Sequence, residues 1–132
     1  MKTMMLLLVL FISLLTGCSG GGGGDTAENV FGDMAVNLRE MSAILTGVTD
    51  EASAKSAVPR IEAVRVRMRD CAKRAKTVPR PDAATEQRLN ETSQAVMAEV
   101  MPNISAAQAR MAARPDLMAI IGPALQGMEN DL

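Results

Sequence analysis

Two cysteines and eleven methionines hold the reactive and soft side chains of this 132-residue chain, which has no histidine, tyrosine or tryptophan. A thiolate is both a strong nucleophile and a soft metal ligand, so covalent chemistry would start at Cys18 or Cys71. Cys18 closes a short apolar run, while Cys71 lies in a basic stretch, in apolar phase with Met68 and Ala75. A cysteine in that phase packs as a small hydrophobe, although Arg67 and Arg74 nearby would favour its thiolate if it were exposed. Without histidine there are no His-based nucleophile–base pairs, no zincin motif and none of the commonest metal ligand. Thioethers remain as soft donors of the kind copper(I) takes. Met34, Met41, Met68 and Met111 nevertheless fall on helical seams, with Met97 and Met101 one turn apart, and core filling explains those spacings without metal. The carboxylates show neither a paired acid–base spacing nor a calcium-loop pattern. The expectation is a protein that is not an enzyme and has no metal site.

The elements around Cys18 say more. Lys2 gives a positive start and Met4 to Leu15 an apolar core. That core is too short to cross a bilayer, which takes about 20 apolar residues. A charge, a short apolar core and small residues at a cut point are the pattern of a removable secretory signal. Leu15-Thr16-Gly17-Cys18 resembles the lipobox of bacterial lipoproteins: an apolar residue, two small ones and cysteine. The resemblance implies that residues 1–17 are a signal peptide, that diacylglycerol is transferred to the Cys18 sulfur, and that cleavage leaves Cys18 as the mature N-terminus. Two or three acyl chains anchor stably where one binds reversibly. It also implies a membrane-anchored lipoprotein of the cell envelope, exported rather than cytoplasmic. Ser19 after the cysteine points to the outer membrane over the inner one by the sorting rule of some Gram-negative bacteria. The covalent lipid is then the only non-protein group expected, and Cys71 the only thiol left, so no disulfide can form within the mature domain.

Gly20 to Gly24 are an unbroken glycine run. Such a segment is a flexible coil, and the six residues from Ser19 span on the order of 13 Å. No strand precedes it and no G-x-x-x-x-G-K-[ST] pattern is present, so it reads as a tether and not a phosphate loop. Residues 18–24 are therefore the lipidated cysteine and tether, and 25–132 one small domain.

That domain is rich in Ala, Met, Leu, Val, Glu and Arg, with Phe31 its one aromatic residue, a composition that favours helix over strand. Ala27, Phe31, Met34, Leu38, Met41, Leu45 and Val48 step by fours and threes along a first helix. It should end near Thr46-Gly47 with glycine in the left-handed position. Thr49 and Asp50 offer a cap to a second helix with the stripe Ala54, Ala57, Ile61, Val64, Met68, Cys71, Ala75 and Val78. Pro59 inside it predicts a kink, since the apolar phase survives the proline. Thr49 to Ile61 is similar to a segment of small, uncharacterised exported helical proteins of bacteria, which implies that the second helix runs through Pro59. Pro81 or Asp82 opens a third helix with the stripe Leu89, Ser93, Val96, Val100, Ile104, Ala107 and Met111, stuttering near Pro102. Leu117, Ile120, Ile121 and Leu125 form a short terminal helix broken at Gly122-Pro123. The fold class is all-α: a small antiparallel three-helix bundle, or a long helical hairpin, with a short C-terminal helix.

Net charge is −1, but cations crowd residues 60–80 while the first helix is acidic. Flanking charges of opposite sign steer helix pairing, as at the margins of coiled coils. The sharper alternative is that Arg65, Arg67, Arg69, Lys73, Arg74 and Lys76 form a face for an anionic envelope ligand. Nucleic acid is not expected, because base-stacking aromatics are missing and the leader directs export. Thin Ala- and Met-rich layers specify shape weakly, which favours a protein partner or self-association. The functional expectation is a non-enzymatic, lipid-anchored envelope protein that presents a helical domain. The alternative is a binding module for an anionic ligand through helix 60–80, or for a soft metal through methionines.

Overall fold

A computed structural model of the chain describes residues 24–130, with side chains described as far as Gly127. The leader, the lipobox with Cys18 and the glycine run up to Gly23 lie outside the described residues. Four helices follow in order: α1 Ala27–Thr46, α2 Glu51–Ala75, α3 Ala83–Ala112 and α4 Pro115–Asn130. No strand occurs among the described residues, so the all-α class is the one observed.

Side-chain oxygens cap the first three helices where orphan amides need acceptors. Thr26 Oγ1 accepts from the Asn29 amide at 3.1 Å, and Asp82 Oδ1 from the Thr85 amide at 2.7 Å. At α2 the cap is reciprocal: Asp50 Oδ1 accepts from the Ser53 amide at 2.8 Å while the Asp50 amide donates back to Ser53 Oγ at 3.0 Å. Pro115 occupies the first position of α4, where a missing N–H costs nothing. The end of α1 differs from expectation. Gly47 sits at φ −75°, right-handed and not left-handed. The last carbonyls of α1 are instead taken by a side chain from α3. Arg110 donates from Nε to the Val48 carbonyl at 3.1 Å, and from its terminal nitrogen to those of Leu45 and Thr46 at 3.2 and 3.0 Å. A guanidinium there satisfies the orphan acceptors and opposes the helix dipole, so no left-handed residue is needed.

Each of α2, α3 and α4 contains a proline, and each continues through it. Pro59, Pro102 and Pro123 are all exposed, as are Lys55, Ala98 and Ala119, the residues whose carbonyls lose their amide partner. Water can take those acceptors, which lowers the cost of the missing bond. At Pro59 this gives one helix and no fresh start. At Pro102 the stripe passes intact, since Val100 and Ile104 are each 1% exposed. The break expected at Gly122-Pro123 is absent: α4 is one helix of 16 residues. Gly122 faces inward and Pro123 outward, so neither interrupts the buried side.

Ion pairs give the helix directions. Arg67 with Glu40, and Arg74 with Asp33, descend one helix while ascending the other, so α1 and α2 are antiparallel. Arg88 with Glu28, Arg39 with Glu99, and Arg110 with Leu45 ascend together, so α1 and α3 run parallel. The principal contacts are α1 with α2 and α3, and α4 with α2 and, less extensively, α3. The consecutive helices α2 and α3 touch only marginally. The expected small three-helix bundle with a short C-terminal helix is therefore the arrangement seen, α1 lying between antiparallel α2 and parallel α3 and α4 packing chiefly on α2. One core cluster has Val30, Met41, Val48, Ile61, Val64, Val96, Ile104, Met111, Leu117 and Ile121 among its most buried members.

Candidate functional site

The α1–α2 flank collects most of the unusual chemistry. Asn37 points inward from α1 and is buried, although the apolar stripe reads it as a polar interruption. Its Nδ2 lies 3.7 Å from Cys71 Sγ, and its Oδ1 accepts from Arg67 Nε at 3.0 Å. The same guanidinium pairs with Glu40 through Nη2, the donor next to that Nε. Asparagine suits this position because it supplies a donor to sulfur and an acceptor to arginine at once. Burial raises the Cys71 thiol above its usual pKa, only partly offset by Arg74. The thiol is therefore protonated and shielded, a poor nucleophile.

Toward the N-terminal end of α1, Arg74 gathers three aspartates. It binds Asp25 bidentately through one edge, Nε–Oδ2 at 2.6 Å and Nη2–Oδ1 at 2.8 Å, and reaches Asp33 at 2.8 Å and Asp70 at 3.8 Å through Nη1. Paired N–H donors on one carboxylate form a strong, directional contact. The Arg74 bond holds the Asp25 carboxyl below the ordinary aspartate pKa, and the aspartates hold the guanidinium firmly charged.

The six cations singled out by sequence do not form one face. Arg67 and Arg74, seven apart, turn to α1 and its acids. Arg65 and Arg69, four apart, are half-buried, and Arg65 covers Gly127 of α4, its Cζ 2.7 Å from where a Cβ there would stand. A side chain at 127 would have to push that guanidinium, the far end of a flexible arginine, aside. Lys73 and Lys76 are exposed. The predicted seam methionines Met34, Met41, Met68 and Met111 are buried in the core, with Met97 and Met101 partly so. Among the described residues no three of Cys, Asp and Glu are grouped to hold a metal ion.

Between α1 and α2 this polar network lines an open groove of about 490 Å3, in which Asp33, Glu40, Asp70, Arg67 and Arg74 stand with Val36 and Val66 around the Asn37–Cys71 floor. Val36 and Val66 are 60% and 58% exposed, one on each helix. Both are apolar residues out of phase with their helix's stripe, the signal by which sequence reasoning could have found the groove. No helix among the described residues is long and apolar enough to cross a membrane. No protein-family model, curated protein or solved structure matches the chain.

Proposed function

We propose that this chain is a non-enzymatic, lipid-anchored protein of the bacterial cell envelope that holds its helical domain out for a protein partner. The observation that carries the reading is Leu15-Thr16-Gly17-Cys18 at the end of the apolar leader, with a glycine tether after it. The domain adds support: its one described thiol is buried and protonated, and Arg67 and Arg74 of α2 are engaged by Glu40, Asp33 and Asp25. Outer-membrane residence follows from Ser19 under the same reading. Binding of an anionic ligand to helix 60–80 has the exposed Lys73 and Lys76 in its favour, but Arg67 and Arg74 are already occupied by carboxylates.

Mass spectrometry of the N-terminal peptide from cell membranes tests this directly. The expected species starts at Cys18 and carries diacylglycerol. Cys18→Ala should leave an uncleaved chain without lipid, and an unmodified Cys18 in the wild type would overturn the reading.

A further inference from the structure

The groove between α1 and α2 is not used by the reading above, and its chemistry is mixed in an informative way. Its two valines are apolar and exposed on facing helices, while its floor is polar and closed by Asn37, Cys71 and Arg67. Asp33, Glu40 and Asp70 line it with Arg67 and Arg74, so three carboxylates meet two guanidiniums there, and Arg74 is further bound by Asp25 beside the groove. Both guanidiniums are turned onto those carboxylates and Asn37 and have little left for an incoming anion. Asp33 and Asp70 keep side-chain exposures of 55% and 65%. The cations of α2 nearest to Val66 apart from Arg67, namely Arg65 and Arg69, do not line the groove, and neither does Lys73 two turns on.

We propose that this groove docks a cationic amphipathic segment of a partner protein, with an apolar side chain between Val36 and Val66 and Lys or Arg against Asp33 and Asp70. Charge decides among occupants. A second copy meeting groove to groove would oppose carboxylates to carboxylates, and like charges across an interface are costly. An anionic headgroup surface would meet the same repulsion. A segment with cations flanking an apolar anchor gains from both features, in the manner of helix-in-groove recognition. The inference rests on the protein-presenting reading above and specifies the site and the chemistry of what it presents to.

The test places a photo-crosslinking amino acid at Val66 in the full-length lipidated protein, and separately at Ala95, exposed on α3 and away from the groove. Envelope membranes are irradiated and the crosslinked peptide is sequenced. The expected result at Val66 is a protein segment with Lys or Arg flanking apolar residues. Asp70→Lys should lower that yield about tenfold with the melting temperature unchanged, and raised salt should lower it without any substitution. A crosslink at Val66 to a second copy, to lipid or to an uncharged or acidic segment overturns the inference, as does a yield indifferent to Asp70→Lys and salt. Protein capture at Ala95 with Val66 silent also overturns it while leaving the presenting role intact. Silence at both positions removes both.

Discussion

Helix α1 has two principal neighbours, and it meets them by different means. Toward α2 lie Asn37, Glu40 and Asp33, bound to Arg67 and Arg74, and the flank opens outward as a groove. Toward α3 the buried stripe Val96, Val100, Ile104 and Met111 meets the core, Arg39 pairs with Glu99 at 2.9 Å, and Arg110 closes the end on three carbonyls. The first flank encodes partner and register in side-chain charge. The second encodes them in shape and in one arginine that recognises backbone. Charge pairs near water contribute little net stability, whereas buried apolar area and satisfied carbonyls contribute more. Both flanks bury an apolar stripe, so the difference teaches that recognition is added in two ways, by a polar side-chain network toward α2 and by backbone capping toward α3.

Substitutions should separate these contributions, and the largest effect belongs to the α3 stripe. Ile104→Ala should cost about 3 kcal/mol, by loss of buried area and the cavity left behind. Its urea midpoint should fall with the slope unchanged, and a loss below about 1 kcal/mol would show that this stripe is not a main source of stability. Arg110→Ala comes next, at about 2 kcal/mol, because the carbonyls of Leu45, Thr46 and Val48 lose a charged donor. Hydrogen exchange in the last turn of α1 should rise in this variant before it rises elsewhere.

The smallest effect should be at Arg74→Ala, and it should carry an electrostatic signature that the other two lack. Its destabilisation should shrink in high salt. Asp25 has a folded pKa depressed below its unfolded value of 3.8, mainly by the Arg74 hydrogen bond. The contribution is therefore present above the unfolded value and lost as pH falls through the depressed one. Melting followed by circular dichroism should show wild type losing this contribution below about pH 4, and Arg74→Ala losing less over the same range. Equal acid slopes in the two proteins would remove the clamp from the account.

The sequence was most legible where a helix has one buried side. All eight stripe positions proposed for the second helix are buried, because α2 keeps one continuous apolar face. For α1 the seven proposed positions are buried too, but so are Val30, Ala35, Asn37, Ser42 and Ile44. A helix wedged between two others buries a wider arc than one stripe describes. Asn37 was missed for that reason, although its place between Met34 and Met41 is in seam phase. Pro123 misled because a proline signals a break unless the side it faces is known, and sequence alone does not say that Ala119 turns its carbonyl to water. The basic run of α2 was visible, but its division between the α1 and α4 flanks depends on which neighbours the helix acquires.

The Asp25–Arg74 contact also fixes where the domain can be pulled. A force arriving along the glycine run reaches Asp25 first, and the guanidinium passes it sideways into α2 before the opening turn of α1 bears it. A pull on the chain before Asp25 is thus shared between two helices. Tension that would peel α1 from its N-terminus must first draw a carboxylate out of a two-pronged grip, so the domain should behave under load as a hairpin held at its base.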